Sequence, residues 1–147
     1  MCSGRHSNLT FIYDIELDEW INGPQLLEGR NCHSSCALKS IDGTIDTIVI
    51  VGGYTESSNI SSSTELFIVK ENRWTRGPNL PVVVNRASFV ALPNHTSYSC
   101  LLIGGCSKEG NKYNLSDSIY ALDNELKSWA LVGHLKEARY GHTITII

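Results

Sequence analysis

The sequence predicts an all-β protein built from repeated units of four short strands, and three observations carry that expectation. An apolar run closed by a glycine pair, Ile48-Val49-Ile50-Val51-Gly52-Gly53, recurs as Leu101-Leu102-Ile103-Gly104-Gly105. Three tryptophans, Trp20, Trp74 and Trp129, stand 54 and 55 residues apart. No segment sustains an apolar stripe of helical period, whereas short strand-forming runs recur along the whole chain.

Further landmarks keep step with these. Six residues after each tryptophan comes a leucine (Leu26, Leu80, Leu135), and ten to twelve after it an arginine (Arg30, Arg86, Arg139). Three beyond the arginine stand His33, Phe89 and His142. Self-similarity at a fixed period marks a repeat architecture. The first strand of each unit is expected just past the arginine, over 36–38, 87–92 and 143–147. The glycine-terminated runs come second and are apolar on both faces, so they read as interior strands. Third strands are expected over 9–14, 64–69 and 118–123, where aliphatic or aromatic residues alternate with polar ones. Polar turns at 16–19, 70–73 and 124–128 then lead into each tryptophan as the fourth strand opens. Gly23-Pro24 and Gly77-Pro78 end that strand, on an outer edge where proline removes no ladder bond. The glycine pairs suit a strand end that another backbone approaches closely. The tryptophans offer rigid plates to fill the wedge between neighbouring sheets.

Composition narrows the function classes. The 147 residues suffice for one domain with an ordinary core, at 41% hydrophobic and 18% charged residues and a net charge of −3. That balance disfavours a nucleic-acid surface, which needs clustered Lys and Arg. Apolar runs fall far short of the ~20 residues that cross a bilayer, and residues 1–6 show no leader-like apolar stretch. Nucleic acid and membrane are therefore not expected partners. The cysteines are Cys2, Cys32, Cys36, Cys100 and Cys106, an odd count without a Cys-x-x-Cys pair. Cys32 and Cys36, read on one strand face, would stand roughly 13 Å apart at ~3.3 Å per residue, too far for a disulfide. Most of the cysteines read as small buried residues of a reducing, cytoplasmic compartment. Four Asn-x-Ser/Thr sequons, starting at Asn8, Asn59, Asn94 and Asn114, keep a secreted alternative in view.

Taken together, the apolar strand with Gly-Gly, the aromatic-rich third strand, the tryptophan and the Arg-x-x-His ending resemble Kelch repeats, whose period is about 50 residues. Two departures stand out. Phe67-Ile68 replaces the usual Tyr-Asp of the third strand, present as Tyr13-Asp14, and three residues rather than two separate Trp129 from Gly133, with no proline after it. The resemblance implies a partial Kelch β-propeller, in which each repeat is one blade of a ring of about four to eight. Two complete four-stranded blades are expected, at 30–78 and 86–133. Incomplete blades flank them: the end of one at 1–24 and a lone first strand at 139–147. Kelch propellers of the adaptor type commonly close with such a strand, so Ile147 is expected near a propeller end with further blades belonging before residue 1. In a chain standing alone, the unpaired strands would instead favour head-to-tail self-association.

The same resemblance places partner contacts on one rim of the ring. Carried over by position, these are Tyr54 and Cys106, with the loops 55–63 and 107–116 that follow the Gly-Gly strands. To them it adds Arg30, Asn31, Arg86, Ala87, Arg139 and Tyr140 around the arginines. Arginines at a central mouth can clamp carboxylates, and tyrosines add rigid contact area. A structural role for the arginines, bonding neighbouring blades, stands beside that reading. No catalytic constellation, metal-ligand spacing or cofactor motif is found; His33 and His142 share a repeat position, which points to packing. The expected function is a non-catalytic protein–protein interaction module without a cofactor. Its parent would serve as the substrate-recognition part of a ubiquitin-ligase adaptor or as a cytoskeletal tether. The alternative is a propeller of a secreted or surface protein that binds glycans or is enzymatic.

Overall fold

A computed structural model describes residues 7–40, 43–57, 59–93 and 97–146. Cys2, His6, His95, the Asn94 sequon and Ile147 lie outside the described residues. The strands run in chain order as β1 (Phe11–Asp14), β2 (Glu19–Asn22), β3 (Arg30–Asn31), β4 (Ser34–Lys39), β5 (Ile45–Val51), β6 (Tyr54–Thr55) and β7 (Thr64–Ile68). They continue as β8 (Arg73–Arg76), β9 (Ser88–Ala91), β10 (Tyr98–Ile103), β11 (Cys106–Glu109), β12 (Lys112–Leu115), β13 (Ser118–Asp123) and β14 (Trp129–His134). Two four-stranded antiparallel meanders, β4-β5-β7-β8 and β9-β10-β13-β14, form the body. The hairpin β1-β2 lies before them. Strands β4 and β9, the first of each meander, pack side by side, so the two sheets meet along their inner edges.

Burial follows the sequence pattern. Val49, Val51, Leu38 and Leu66 of the first meander face Cys100, Leu102 and Leu122 of the second, with Phe89 and Trp129 closing the edge. The tryptophans fill the wedge and also lock it. Trp74 Nε1 donates to the Pro24 carbonyl at 3.0 Å and Trp129 Nε1 to the Pro78 carbonyl at 3.0 Å. Each indole therefore bonds the end of the fourth strand one unit back. Trp20 departs from the expectation. It is 68% exposed, its ring beside that of Tyr13 at 5.0 Å between centroids, and no unit among the described residues lies on its outer side.

Backbone bonds fix the repeat register. Leu26, Leu80 and Leu135 donate to the carbonyls of Asn8, Ser62 and Asp117, and Arg30, Val84 and Arg139 donate to those of Ser7, Ser61 and Ser116. Arg86 therefore does not match Arg30 and Arg139: Val84 does, and Arg86 sits two residues further on, level with Cys32 and Gly141. All three have left-handed backbone, with φ of 52° at Arg86, 53° at Cys32 and 64° at Gly141. The true match of His33 and His142 is likewise Ala87, not Phe89. The extra residue after Trp129 is absorbed as a β-bulge, since Ile119 pairs with Gly133 but Tyr120 with Leu131.

Two other expectations change. Cys32 lies before β4 in a left-handed turn, not on a strand face with Cys36. No strand forms over the described residues 143–146. Gly141 is tied to the Arg86 carbonyl and the Ser88 hydroxyl to the His142 carbonyl, but no strand among the described residues pairs with 143–146. Loop 107–116 is more ordered than expected, forming most of the hairpin β11-β12.

Candidate functional site: the rim around Arg86

The site is built where each glycine-terminated strand turns out of its sheet. Gly52 has φ of +68°, and a Cβ there would lie 2.2 Å from the Val84 carbonyl oxygen; Gly104 repeats this at +66° and 2.5 Å from that of Arg139. Past the glycines, β6 pairs with β3, and Cys106 bridges to Asn85 in the next unit. This brings the left-handed residues into a chain of bonds around the mouth: Arg86 N–H donates to the Cys32 carbonyl at 3.0 Å, and Gly141 N–H to the Arg86 carbonyl at 2.8 Å. A non-glycine residue in that conformation costs about 1–2 kcal/mol, and such residues cluster at working surfaces.

The turn leaves the Arg86 side chain exposed among aromatic groups. Its guanidinium bonds the Cys32 sulfur, which together with the pair's electrostatic attraction raises its pKa, and it lies 5.9 Å from the centroid of the Tyr140 ring. Tyr54 and Tyr113 share a hydroxyl–hydroxyl bond of 3.2 Å, and Lys108, cross-strand from Tyr113, stands 5.7 Å over its ring. Burial first, then the bond to Tyr113, pushes the Tyr54 phenol up to about 12, so it stays protonated at neutral pH. The result is a patch of two exposed cations and three tyrosines, suited to carboxylates and to flat apolar contact.

Of the eight residues singled out in the sequence, Tyr54, Arg86 and Tyr140 come together here. Two are corrected. Arg30 is fully buried and cannot meet a partner: it donates to Glu65 at 2.7 Å, to the Gly52 carbonyl at 2.8 Å and to Ser63 Oγ at 2.9 Å. Cys106 is 1% exposed, with its sulfur on Asn85 Oδ1 at 3.4 Å beneath the patch. Asn31 is half-buried in the β3-β6 pair, and the half-buried Ala87 offers its carbonyl to Ser34 at 2.6 Å. Arg139 is exposed and turned to its own Glu137 at 3.6 Å. Tyr113, Lys108 and Cys32 were not singled out. The Gly110-Asn111 turn was the available signal that 107–116 is a hairpin presenting a cross-strand Lys–Tyr pair.

Below the rim the junctions differ. Where one holds Glu28, Arg30 and Glu65, the next holds Val82, Val84 and Tyr120, around a cleft of about 260 Å³ also lined by Leu102 and Leu115. Among the described residues no group of three or more His, Cys, Asp or Glu side chains is placed to hold a metal ion. No described helix is long and apolar enough to cross a membrane. The four described cysteines are free thiols; the hydrogen bond to Cys36, and then burial, raises the pKa of Cys100.

His33 sits beside this machinery, its Nδ1 buried without a hydrogen-bond partner among the described residues. Burial, then the nearby Arg30 charge, lowers its pKa from 6.5 to about 4. The folded state thus keeps His33 neutral where the unfolded chain protonates it. The stability involved is fully present above pH 6.5 and is lost as pH falls towards 4, about 2 kcal/mol of it by pH 5. His142, lowered by burial and then by Arg139, acts with the same sign. Urea unfolding between pH 6.5 and 5 is expected to show a falling midpoint in the parent chain and a flatter dependence in His33→Gln.

Two antiparallel four-stranded sheets joined at their inner edges, each bolted to the unit before it by an indole, define a segment of a β-propeller. Comparison with known proteins shows what this segment is similar to. Residues 46–81 match the Kelch motif. Beta-scruin of Limulus polyphemus is 23% identical over 135 residues, covering 90% of this chain and 14% of its own length. Kelch-like protein 34 of Homo sapiens is 24% identical over 137 residues, covering 92% and 20%. The solved structure of YjhT superposes with a TM-score of 0.75 at 13% identity, covering 92% of this chain and 41% of that one. The chain thus carries a Kelch motif at 46–81 within a partial propeller, and it spans a fifth or less of the length of these curated relatives.

Proposed function

We propose that the chain is a non-catalytic protein-binding module whose rim, centred on Arg86, takes an acidic segment of a partner protein. The observation that carries this reading is the exposed guanidinium held in a strained turn beside Tyr140 and within electrostatic reach of the hydrogen-bonded Tyr54–Tyr113 pair, with Lys108 adding a second cation. The Kelch motif and the Kelch-containing relatives support a protein partner. On the same reading the whole protein is a cytoplasmic adaptor, presenting a bound protein to a ubiquitin ligase or tethering cytoskeletal partners.

The test is an array of synthetic ten-residue peptides with graded Asp and Glu content. Binding by the parent chain is expected to rise with acidity and fall with salt. Arg86→Ala and Tyr54→Ala are each expected to weaken it about tenfold, a typical loss at an interface anchor, with the melting transition nearly unchanged. Equal binding by both variants, or a matching loss of folding, assigns these residues to structure.

A further inference from the structure

Arg30 closes a junction between two units, and each part of that junction has a place in the repeat. Its backbone N–H is held by Ser7 of the preceding unit at 3.3 Å, and Glu28, two residues earlier, lies 3.4 Å from Nη2. The guanidinium then crosses to the next unit and meets the Gly52 carbonyl, the Ser63 hydroxyl and the Glu65 carboxylate.

Arg139 repeats the near half. Its N–H donates to Ser116 at 3.1 Å, its carbonyl accepts from Gly105 at 2.8 Å as that of Val84 does from Gly53, and Glu137 stands two residues earlier, 3.6 Å from Nη2. The far half, a glycine carbonyl, a small hydroxyl and a carboxylate, does not meet Arg139 among the described residues, and the side chain is 49% exposed. We propose that Arg139 is the projecting half of an inter-blade lock, and that the surface around it docks a propeller blade bearing a carboxylate at the register of Glu65.

The chemistry excludes two available candidates. Gly23 and Gly77 bond Thr10 and Thr64 in the same way, so in the N-terminal hairpin Phe11 stands in the place of Glu65 and Leu9 in that of Ser63. A second copy of the chain docking head to tail would thus set an apolar pair against the guanidinium, leaving a desolvated charge unpaired. A blade of the second kind is no better, because Tyr120 holds that register. The fitting occupant is a blade of the first kind, acidic in its third strand.

The experiment appends a copy of residues 34–79 directly after His142, which restores the repeat register and brings a second Glu65. Cleavage by trypsin after Arg139 is expected to slow at least tenfold relative to the unextended chain, and the melting temperature to rise. Glu65→Phe in the appended copy, or Arg139→Met, should abolish the rise in melting temperature, and the first should also restore cleavage. Equal protection by the Glu65→Phe copy overturns the proposal. A second measurement does not depend on the graft folding: light scattering of the unextended chain and its Arg139→Met variant should give the same mass. Self-association that is lost in Arg139→Met would show that a second copy fits after all.

Discussion

Replacing Glu65 by alanine is expected to destabilise the chain by about 3–5 kcal/mol, the usual cost of stranding one partner of a buried ion pair. Glu65 is 3% exposed and Arg30 is fully buried, so neither can recover water when the other is lost. More than the pair is at stake. The Glu65 carboxylate also accepts the backbone N–H groups of Leu27 at 2.7 Å and Glu28 at 3.2 Å, fixing the loop that enters β3. Against the 5–15 kcal/mol of a typical domain, such a loss leaves much of the population unfolded. The double variant Arg30→Met/Glu65→Leu removes both charges and should recover part of the loss, as apolar replacement of a buried pair often does. Urea denaturation of the single and double variants checks this. A Glu65→Ala cost below about 1 kcal/mol would place the pair in a wetter setting than the one described.

Gly52→Ala is expected to be nearly as damaging, at about 2–4 kcal/mol, through two effects that add. The left-handed backbone at φ +68° penalises any Cβ, and that Cβ would meet the Val84 carbonyl oxygen at 2.2 Å. The same carbonyl accepts the Gly53 N–H at 2.8 Å, so moving it away to relieve the clash breaks a bond at the junction. Gly110 provides the control. It has φ of +57°, and a Cβ added there would meet no atom within 4 Å, so Gly110→Ala should cost only about 1 kcal/mol. Thermal melts of the two variants separate conformation from close approach: similar losses would mean that the approach to Val84 is looser than its geometry implies.

The architecture was legible because its determinants are local and recur: a strand ending in Gly-Gly, a polar turn, a tryptophan. What the residues disclosed less well was register. The arginines fall ten, twelve and ten residues after the tryptophans, and that uneven interval marks Arg86 as out of step. The steady interval is four residues from Leu26, Leu80 and Leu135, which leads to Arg30, Val84 and Arg139, because the leucine N–H groups anchor the loop to the preceding unit. Residue type pointed to one alignment and backbone bonding imposes another.

That slip also explains how the candidate site divides. Arg30 and Arg86 look alike in the sequence, but one lies at the buried junction position and the other in the left-handed turn, where its side chain reaches solvent. Trp20 likewise shares its motif with Trp74 and Trp129, yet burial of each tryptophan depends on the unit before it, which no local pattern encodes. Tyr113 enters the patch only because β11 and β12 fold back over Tyr54, a contact between residues 59 positions apart.

The most direct test of a protein-binding rim is quantitative affinity capture from one cell extract with the parent chain and an Arg86→Glu variant of equal melting temperature. Bound proteins rich in acidic segments are expected to drop at least tenfold in the variant and to be restored to neither chain at high salt. The same proteins retained at equal abundance by both chains would contradict a rim built around Arg86.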